Sequence, residues 1–262
     1  MCGQLGILIG RSSRPRKNMA GIAQLFTRLL VLSEHRGPHA SGAAWLDASG
    51  AHRLHKAPRS ASRFVSGQDY GEWMASIPAT ATLLMGHTRW PTQGSHLDNR
   101  NNHPLVDGGG EDAILLTHNG NIPQVERCFR HFGLVRRWGV DSEILLRLAR
   151  RHARPDEGLD VAALLGDMGR CPGDIAAVVA WTACPETLLL IRRERPLFLA
   201  WNARRRLLAY ASERAILVEA ICNGSGASMV SLSGWRIEAM NEGTARVFNI
   251  NALPEYVEYG FE

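Results

Sequence analysis

Lysine is nearly missing from this chain of 262 residues: Lys17 and Lys56 are the only two among 30 basic side chains, so arginine carries almost all the positive charge. No apolar run approaches the roughly 20 residues that a membrane-spanning helix needs. The N-terminus lacks the charged-then-apolar layout of a secretory signal. Together these absences make the cytoplasm the expected location and give no reason to expect a membrane partner. The cysteines, Cys2, Cys128, Cys171, Cys184 and Cys222, are odd in number and form no Cys-x-x-Cys pair, which argues against both a disulfide framework and a zinc ribbon. Glycine-rich phosphate loops of the P-loop or dinucleotide type are absent. His87, His96, His103 and His118 fit no common ligand spacing. Neither a metal nor another cofactor is therefore expected.

The net charge of +5 comes with arginine clusters at 11–16, 136–137, 150–151, 192–195 and 204–206. They are dispersed, acids lie close to several, and no aromatics interleave with them as in a base-stacking surface. A nucleic-acid partner is not expected.

Hydrophobic residues make up 45% and charged residues 21% of the chain, an ordinary balance for a globular domain. Residues 4–9 read as a buried strand. Residues 18–33 repeat apolar side chains at helical spacing (Ile22, Leu25, Phe26, Leu29, Leu30), with Asn18 in place for an N-cap. Strands are expected at 41–47 and 52–56 around the turn Ala48-Ser49-Gly50, and again at 81–87 and 114–117. Residues 88–112 fit no regular element. A loop of that length inside a compact chain points to function or disorder. Helices are expected at 123–131, 141–153 and 213–220, and strands at 176–182, 187–191, 197–201, 207–211, 228–232, 235–240 and 244–250. Mixed strands and helices with short, hairpin-compatible connections favour an α+β fold with largely antiparallel sheets, and a single domain over 1–262.

Cys2 would become the first residue once the initiator methionine is removed. An N-terminal cysteine carries its own base, because its α-amine, with a pKa near ~8, can take the thiol proton directly or through one water. Four motifs follow it in order: Glu34-His35-Arg36-Gly37, then Gly86-His87-Thr88-Arg89-Trp90-Pro91-Thr92-Gln93-Gly94, then His118-Asn119-Gly120-Asn121, and Asp141-Ser142-Glu143. Arg195-Pro196-Leu197 and Ala211-Ser212-Glu213 extend the pattern.

This order and spacing resemble the class II glutamine amidotransferases, the N-terminal-nucleophile type, and most of all the glutaminase domain of glucosamine-6-phosphate synthase. The resemblance implies a four-layer αββα sandwich and hydrolysis of L-glutamine to glutamate and ammonia through a Cys2 thioester. It implies that the Asn119 side chain and the Gly120 N–H form the oxyanion hole. Arg89 would clamp the substrate α-carboxylate, Asp141 would accept from its α-ammonium, and Thr92 would add a hydroxyl or backbone bond. Arg36, Trp90 and His103 are expected to support the site. The chain departs from the sugar-phosphate branch at Gln93, where that branch has histidine. With no synthase segment recognisable, the expected partner is a separate ammonia-accepting synthase subunit; homo-oligomerisation stays open.

Plain alternatives stand beside each residue. Asn119-Gly120 is a common turn dipeptide, Asp141 suits a helix N-cap, Arg36-Gly37 suits a helix end with a C′ glycine, and Trp90 suits packing. Rival functions are an N-terminal-nucleophile hydrolase acting on another γ-glutamyl substrate and a non-catalytic regulatory module of the same fold.

Overall fold

In the computed structural model all residues are described except 12–15, 156, 223–233 and 262, together with the side chains of 16–18. The chain runs β1 (Gly3–Ile9), α1 (Arg16–Leu32), a 3₁₀ turn (Glu34–Arg36), β2 (Ala40–Asp47), β3 (His52–Ala57), α2 (Ala61–Val65), α3 (Gln68–Ala75), β4 (Ala81–Arg89), a second 3₁₀ turn (Asn99–Asn101), β5 (Leu105–Gly109) and β6 (Asp112–Asn121). It continues with α4 (Val125–Phe132), α5 (Glu143–Arg151), the short β7 (Ala153–Arg154) and β8 (Gly158–Leu159), α6 (Val161–Gly169), β9 (Asp174–Trp181), β10 (Thr187–Arg192), β11 (Phe198–Asn202) and β12 (Leu207–Ala211). It closes with α7 (Arg214–Cys222), β13 (Arg236–Ala239), β14 (Thr244–Asn249) and β15 (Tyr256–Gly260).

Two antiparallel sheets form the centre, one ordered β13-β11-β12-β1-β4-β2-β3 and the other β15-β14-β10-β9-β6-β5. Three apolar layers hold the four layers of structure together. The side chains of α1, α2, α3 and α7 pack on one sheet with Leu5, Ile7, Ile9 and Leu84. Those of α4, α5 and α6 pack on the other with Ile114, Leu116, Ala177 and Val179. Between the sheets lie Leu8, Leu83, Met85, Leu115, Val178 and Tyr210. The αββα sandwich follows from this alternation: each central strand buries both faces, its odd residues in one layer and its even residues in the next.

Strand parity then decides what enters the gap between the sheets. Leu8 faces that gap, so Gln4, an even step back along β1, shares its face, and Cys2 immediately precedes the strand. By the same count His87 and Arg89 share the face of Met85 on β4, and Thr117 and Asn119 that of Leu115 on β6. At one end the apolar filling of the sandwich gives way to these polar side chains.

Several local expectations need correction. The segment 88–112 contains β5 and a 3₁₀ turn, organised by side-chain hydrogen bonds that carry no periodic signal. Asn119-Gly120 lies inside β6, paired with Ala176 and Ile175, and makes no turn. Gly37 ends the 3₁₀ turn at φ −164°, an extended conformation and no left-handed C′. A glycine is required there because a Cβ would collide with the backbone of Arg89. The helix near 141–153 starts at Glu143. Helix α6 and strand β15 were not expected. Helix α1 begins at Arg16, so Asn18 lies inside it and not at an N-cap; the strand expected at 228–232 lies outside the described residues.

Candidate active site

The thiol of Cys2 sits against the backbone of Trp90: Trp90 N–H donates to Cys2 Sγ at 3.4 Å, and Sγ lies 3.4 Å from the Trp90 carbonyl. Burial pushes the thiol pKa up, opposed by the Trp90 backbone and by the positive charge of Arg89, while Asp141 adds to the rise. The thiol therefore rests protonated and needs a base to become a nucleophile. Arg36, on the 3₁₀ turn, donates from Nε to the Cys2 carbonyl at 2.8 Å and pairs through Nη1 with Glu213. Thr88 Oγ1 donates to the Ser33 carbonyl at 2.8 Å, fastening that turn to β4.

Arg89 ends β4 and is 2% exposed. Its guanidinium donates to the carbonyls of Gln93 (2.6 Å), Gly94 (2.9 Å) and Ser95 (3.3 Å) and to Asn102 Oδ1 (2.8 Å). It thus shapes the loop that presents Thr92, which is exposed. The same loop is stitched to the end of β6 by Gln93 Nε2, which donates to Ile122 O at 3.2 Å and lies 3.4 Å from Asn121 Oδ1. Asp141 is buried; its Oδ2 accepts from Ile122 N–H at 2.7 Å and its Oδ1 from Ser142 N–H at 2.9 Å. Arg89 and Asp141 are both near enough for their charges to act on the Cys2 thiol, in opposite directions.

Asn119 is 1% exposed, and its Nδ2 has no hydrogen-bond partner. A buried amide donor left without an acceptor costs about 1–3 kcal/mol, and such groups in folded proteins call for an explanation. Gly120 follows where a Cβ would collide with the Asp174 carbonyl, so close backbone approach dictates glycine.

Trp90 meets the Cys2 thiol through its backbone, while its side chain is 47% exposed, against the packing alternative, with its ring edge-on to His39 at 5.0 Å. His103, which precedes a cis proline, lies buried with its ring 4.3 Å from that of His87. Burial pushes His87 down to about 3 and His103 well below the ordinary histidine range, so both are neutral. Among the described residues no group of three or more His, Cys, Asp or Glu side chains could hold a metal ion.

Sequence reasoning gave no supporting role to three residues that have one. Glu213 anchors Arg36. Asn101 Oδ1 accepts from the N–H groups of Gly139 (2.9 Å) and Val140 (3.1 Å), fixing the approach to Asp141. Asn102 holds Arg89, and its Nδ2 donates to His96 O at 2.7 Å. An asparagine pair inside an Asn-rich loop is the signal that was present. Glu143, third residue of the Asp-Ser-Glu motif, is structural: fully buried, it accepts from the N–H groups of Arg137 and Trp138 and from Arg147.

Cys2 stands just before β1 at the polar end of a two-sheet αββα sandwich, and in sequence and in fold the chain is similar to the class II glutamine amidotransferases. More particularly, it is similar to glutamine–fructose-6-phosphate aminotransferases (isomerizing). It is 33% identical to that of Mycobacterium bovis over 174 residues, 63% of this chain and 26% of the relative. With that of Xylella fastidiosa the identity is 30% over 212 residues, 80% of this chain and 31% of the relative. The chain thus spans between a quarter and a third of the length of these relatives. Among solved structures, the glutamine phosphoribosylpyrophosphate amidotransferase of B. subtilis matches with a TM-score of 0.71 at 18% identity, covering 100% of this chain and 49% of that one. A glutamine aminotransferase class-II domain protein from Silicibacter pomeroyi matches at 0.54 and 15%, over 99% of each chain. No family model matches.

Proposed function

We propose that this chain hydrolyses glutamine to glutamate and ammonia with Cys2 as nucleophile. After removal of Met1, the freed α-amine of Cys2 takes the thiol proton and the thiolate attacks the side-chain carboxamide carbon. The C–N bond of the tetrahedral intermediate then breaks, the amine returns the proton to the leaving nitrogen, and ammonia departs from a thioester. Water hydrolyses the thioester to glutamate and restores the thiol. Asn119 Nδ2 and Gly120 N–H receive the oxyanion. Arg89 supplies positive charge to the substrate α-carboxylate, and Asp141 accepts from the α-ammonium.

The observation that carries this reading is the orphaned donor of Asn119, buried on the face of β6 that looks into the same gap as Cys2. A raised thiol pKa supports the need for an adjacent base. All five cysteines are free, as in a reducing compartment, which favours the cytoplasm. No described helix is long and apolar enough to cross a membrane.

Released ammonia would pass to a synthase, and we place that acceptor on a separate subunit docked at the rim where Trp90 and Leu97 (72% exposed) stand out. The test is intact mass together with glutamate release from glutamine, for wild type and Cys2→Ala. Loss of one methionine with Cys2-dependent release is expected. A processed chain that leaves glutamine intact, alone and with its co-purifying partner, overturns the assignment.

A further inference from the structure

Gln4 and Thr117 are both fully buried and meet across the gap between the sheets, Thr117 Oγ1 donating to Gln4 Oε1 at 2.9 Å. The layer behind them is apolar, built from Leu8, Met85, Leu115 and Val178. A polar pair placed there loses its hydration and returns little net stability. Packing alone does not account for it.

Its position does. Cys2 stands just before β1, two residues from Gln4, and Asn119 lies two residues from Thr117 on β6. A period of two keeps Thr117 and Asn119 on one face, and the Cys2 thiol meets the Trp90 backbone just past the end of β4. Both steps lead to the same end of the sandwich, where Arg89 follows His87 on β4 and Gln93 reaches Ile122. The bond therefore ties the nucleophile strand to the oxyanion strand one pleat behind the reacting groups.

The hydrogen-bond ladders cannot perform this task. They fix β1 between β4 and β12, and β6 between β5 and β9, each within its own sheet. Apolar contacts between sheets are non-directional and set no register. Gln4 is held firmly on its own side: its N–H donates to Ser212 Oγ at 2.9 Å, and its carbonyl accepts from Ser212 N–H at 2.9 Å. Its Nε2 has no partner, so the amide is oriented across the gap by Thr117. Among the described residues one other polar bond crosses at this level, from His87 Nε2 to the His118 carbonyl at 3.0 Å.

We propose that Gln4 and Thr117 are positioning residues whose hydrogen bond sets the separation and register of Cys2 and Asn119. This rests on the glutaminase reading, and the test separates the two. Thr117→Val, Thr117→Ser and Gln4→Leu are made in the full chain. Two reactions are followed: glutamine turnover, and acylation of Cys2 by p-nitrophenyl acetate, which needs the thiol and an oxyanion donor but no glutamine recognition. Thr117→Val lowers kcat about 10- to 100-fold, the scale of a small misplacement of reacting groups, with KM within about twofold. It slows acylation by a similar factor. Thr117→Ser, which keeps the hydroxyl, returns both rates to within about threefold of wild type, and the double variant Gln4→Leu with Thr117→Val loses no more than either single change.

Wild-type rates in Thr117→Val, a serine variant as slow as the valine one, or additive losses overturn the proposal. A wild type that is acylated at Cys2 yet leaves glutamine untouched removes the glutaminase reading, and the acylation rates then decide the positioning role. A wild type that does neither overturns both.

Discussion

The Nε of Arg36 donates to the backbone carbonyl of Cys2 across 2.8 Å, so the proposed nucleophilic residue is held by a guanidinium from a turn more than thirty positions away. Arg36 is buried and Glu213 neutralises it from the start of α7. Removing the guanidinium leaves Cys2 unanchored. Arg36→Met should cost about 2–3 kcal/mol in urea unfolding, the scale of a charge-assisted bond lost from a buried site, and should depress turnover as well. Glu213→Gln keeps the shape and removes the charge, with a smaller cost because Glu213 is partly exposed. Burial alone would raise the Glu213 pKa, but the bond and charge of Arg36, with His35, hold it below the ordinary glutamate range. A lowered carboxylate pKa contributes stability above its unfolded value, near ~4.3, and loses it as pH falls through the folded value. Acid unfolding of Glu213→Gln should lack that portion of the transition.

Asn119 sets up an opposition between stability and activity. Its Nδ2 is buried and satisfies nothing in the free protein, so deleting it relieves an unpaired donor. Asn119→Ala should therefore leave the unfolding free energy within about 1 kcal/mol of wild type. If the amide receives the oxyanion, the same change should reduce kcat about 100- to 1,000-fold with little change in KM. Equal loss of stability and activity would instead mark Asn119 as a framework residue.

Lys56, one of the two lysines, donates from Nζ to the Asn102 carbonyl at 2.8 Å, behind the loop held by Arg89. Burial pushes its pKa down to about 8, with Asp98 opposing and Arg89 adding to the fall. The unfolded lysine titrates near ~10.4. Between these values the unfolded chain binds the proton that the folded chain has released, so stability rises with pH across that window. Unfolding free energies measured at pH 7, 9 and 10 should converge on those of Lys56→Met, the gap closing by at most about 3 kcal/mol. At pH 7 the methionine variant should be the more stable.

Much of the sandwich was legible because its strands and helices carry periodic apolar patterns. Residues 4–9 and 207–211 read as strands because they are short apolar runs buried on both faces, and Ile22 to Leu30 as a helix face because that face meets a continuous apolar layer. Order held at 88–112 by Arg89, Asn101 and Asn102 has no period to read, and β5 inside it pairs through its backbone. Asn119-Gly120 carries a local turn preference that tertiary pairing with β9 overrides. Gly37 was read as a C′ glycine, whereas the demand for glycine there comes from crowding by Arg89, distant in sequence. The site motifs were visible as a set because the chemistry demands several rare residue types in one order. The supporting roles of Glu213, Gln4 and Thr117 were not, since each acts through a partner more than a hundred positions away.

Arg89 tests how one guanidinium serves both loop and substrate. It is already bonded to Gln93, Gly94, Ser95 and Asn102, and its charge reaches Cys2 and Asp141. Lysine keeps the charge but is a point donor without the planar fork. Arg89→Lys should therefore loosen residues 93–102, seen as faster proteolysis in that segment, and should raise KM for glutamine about tenfold or more. The two roles separate on a substrate lacking the α-carboxylate, such as the α-amide of glutamine. If Arg89 meets the carboxylate, wild type should discriminate strongly between the two substrates and Arg89→Lys much less, because the interaction that distinguishes them has been weakened. If Arg89 only shapes the loop, the variant should lose activity on both by the same factor and keep its discrimination. That second result would leave the α-carboxylate to be met by other donors of the loop, with Thr92 the first to examine.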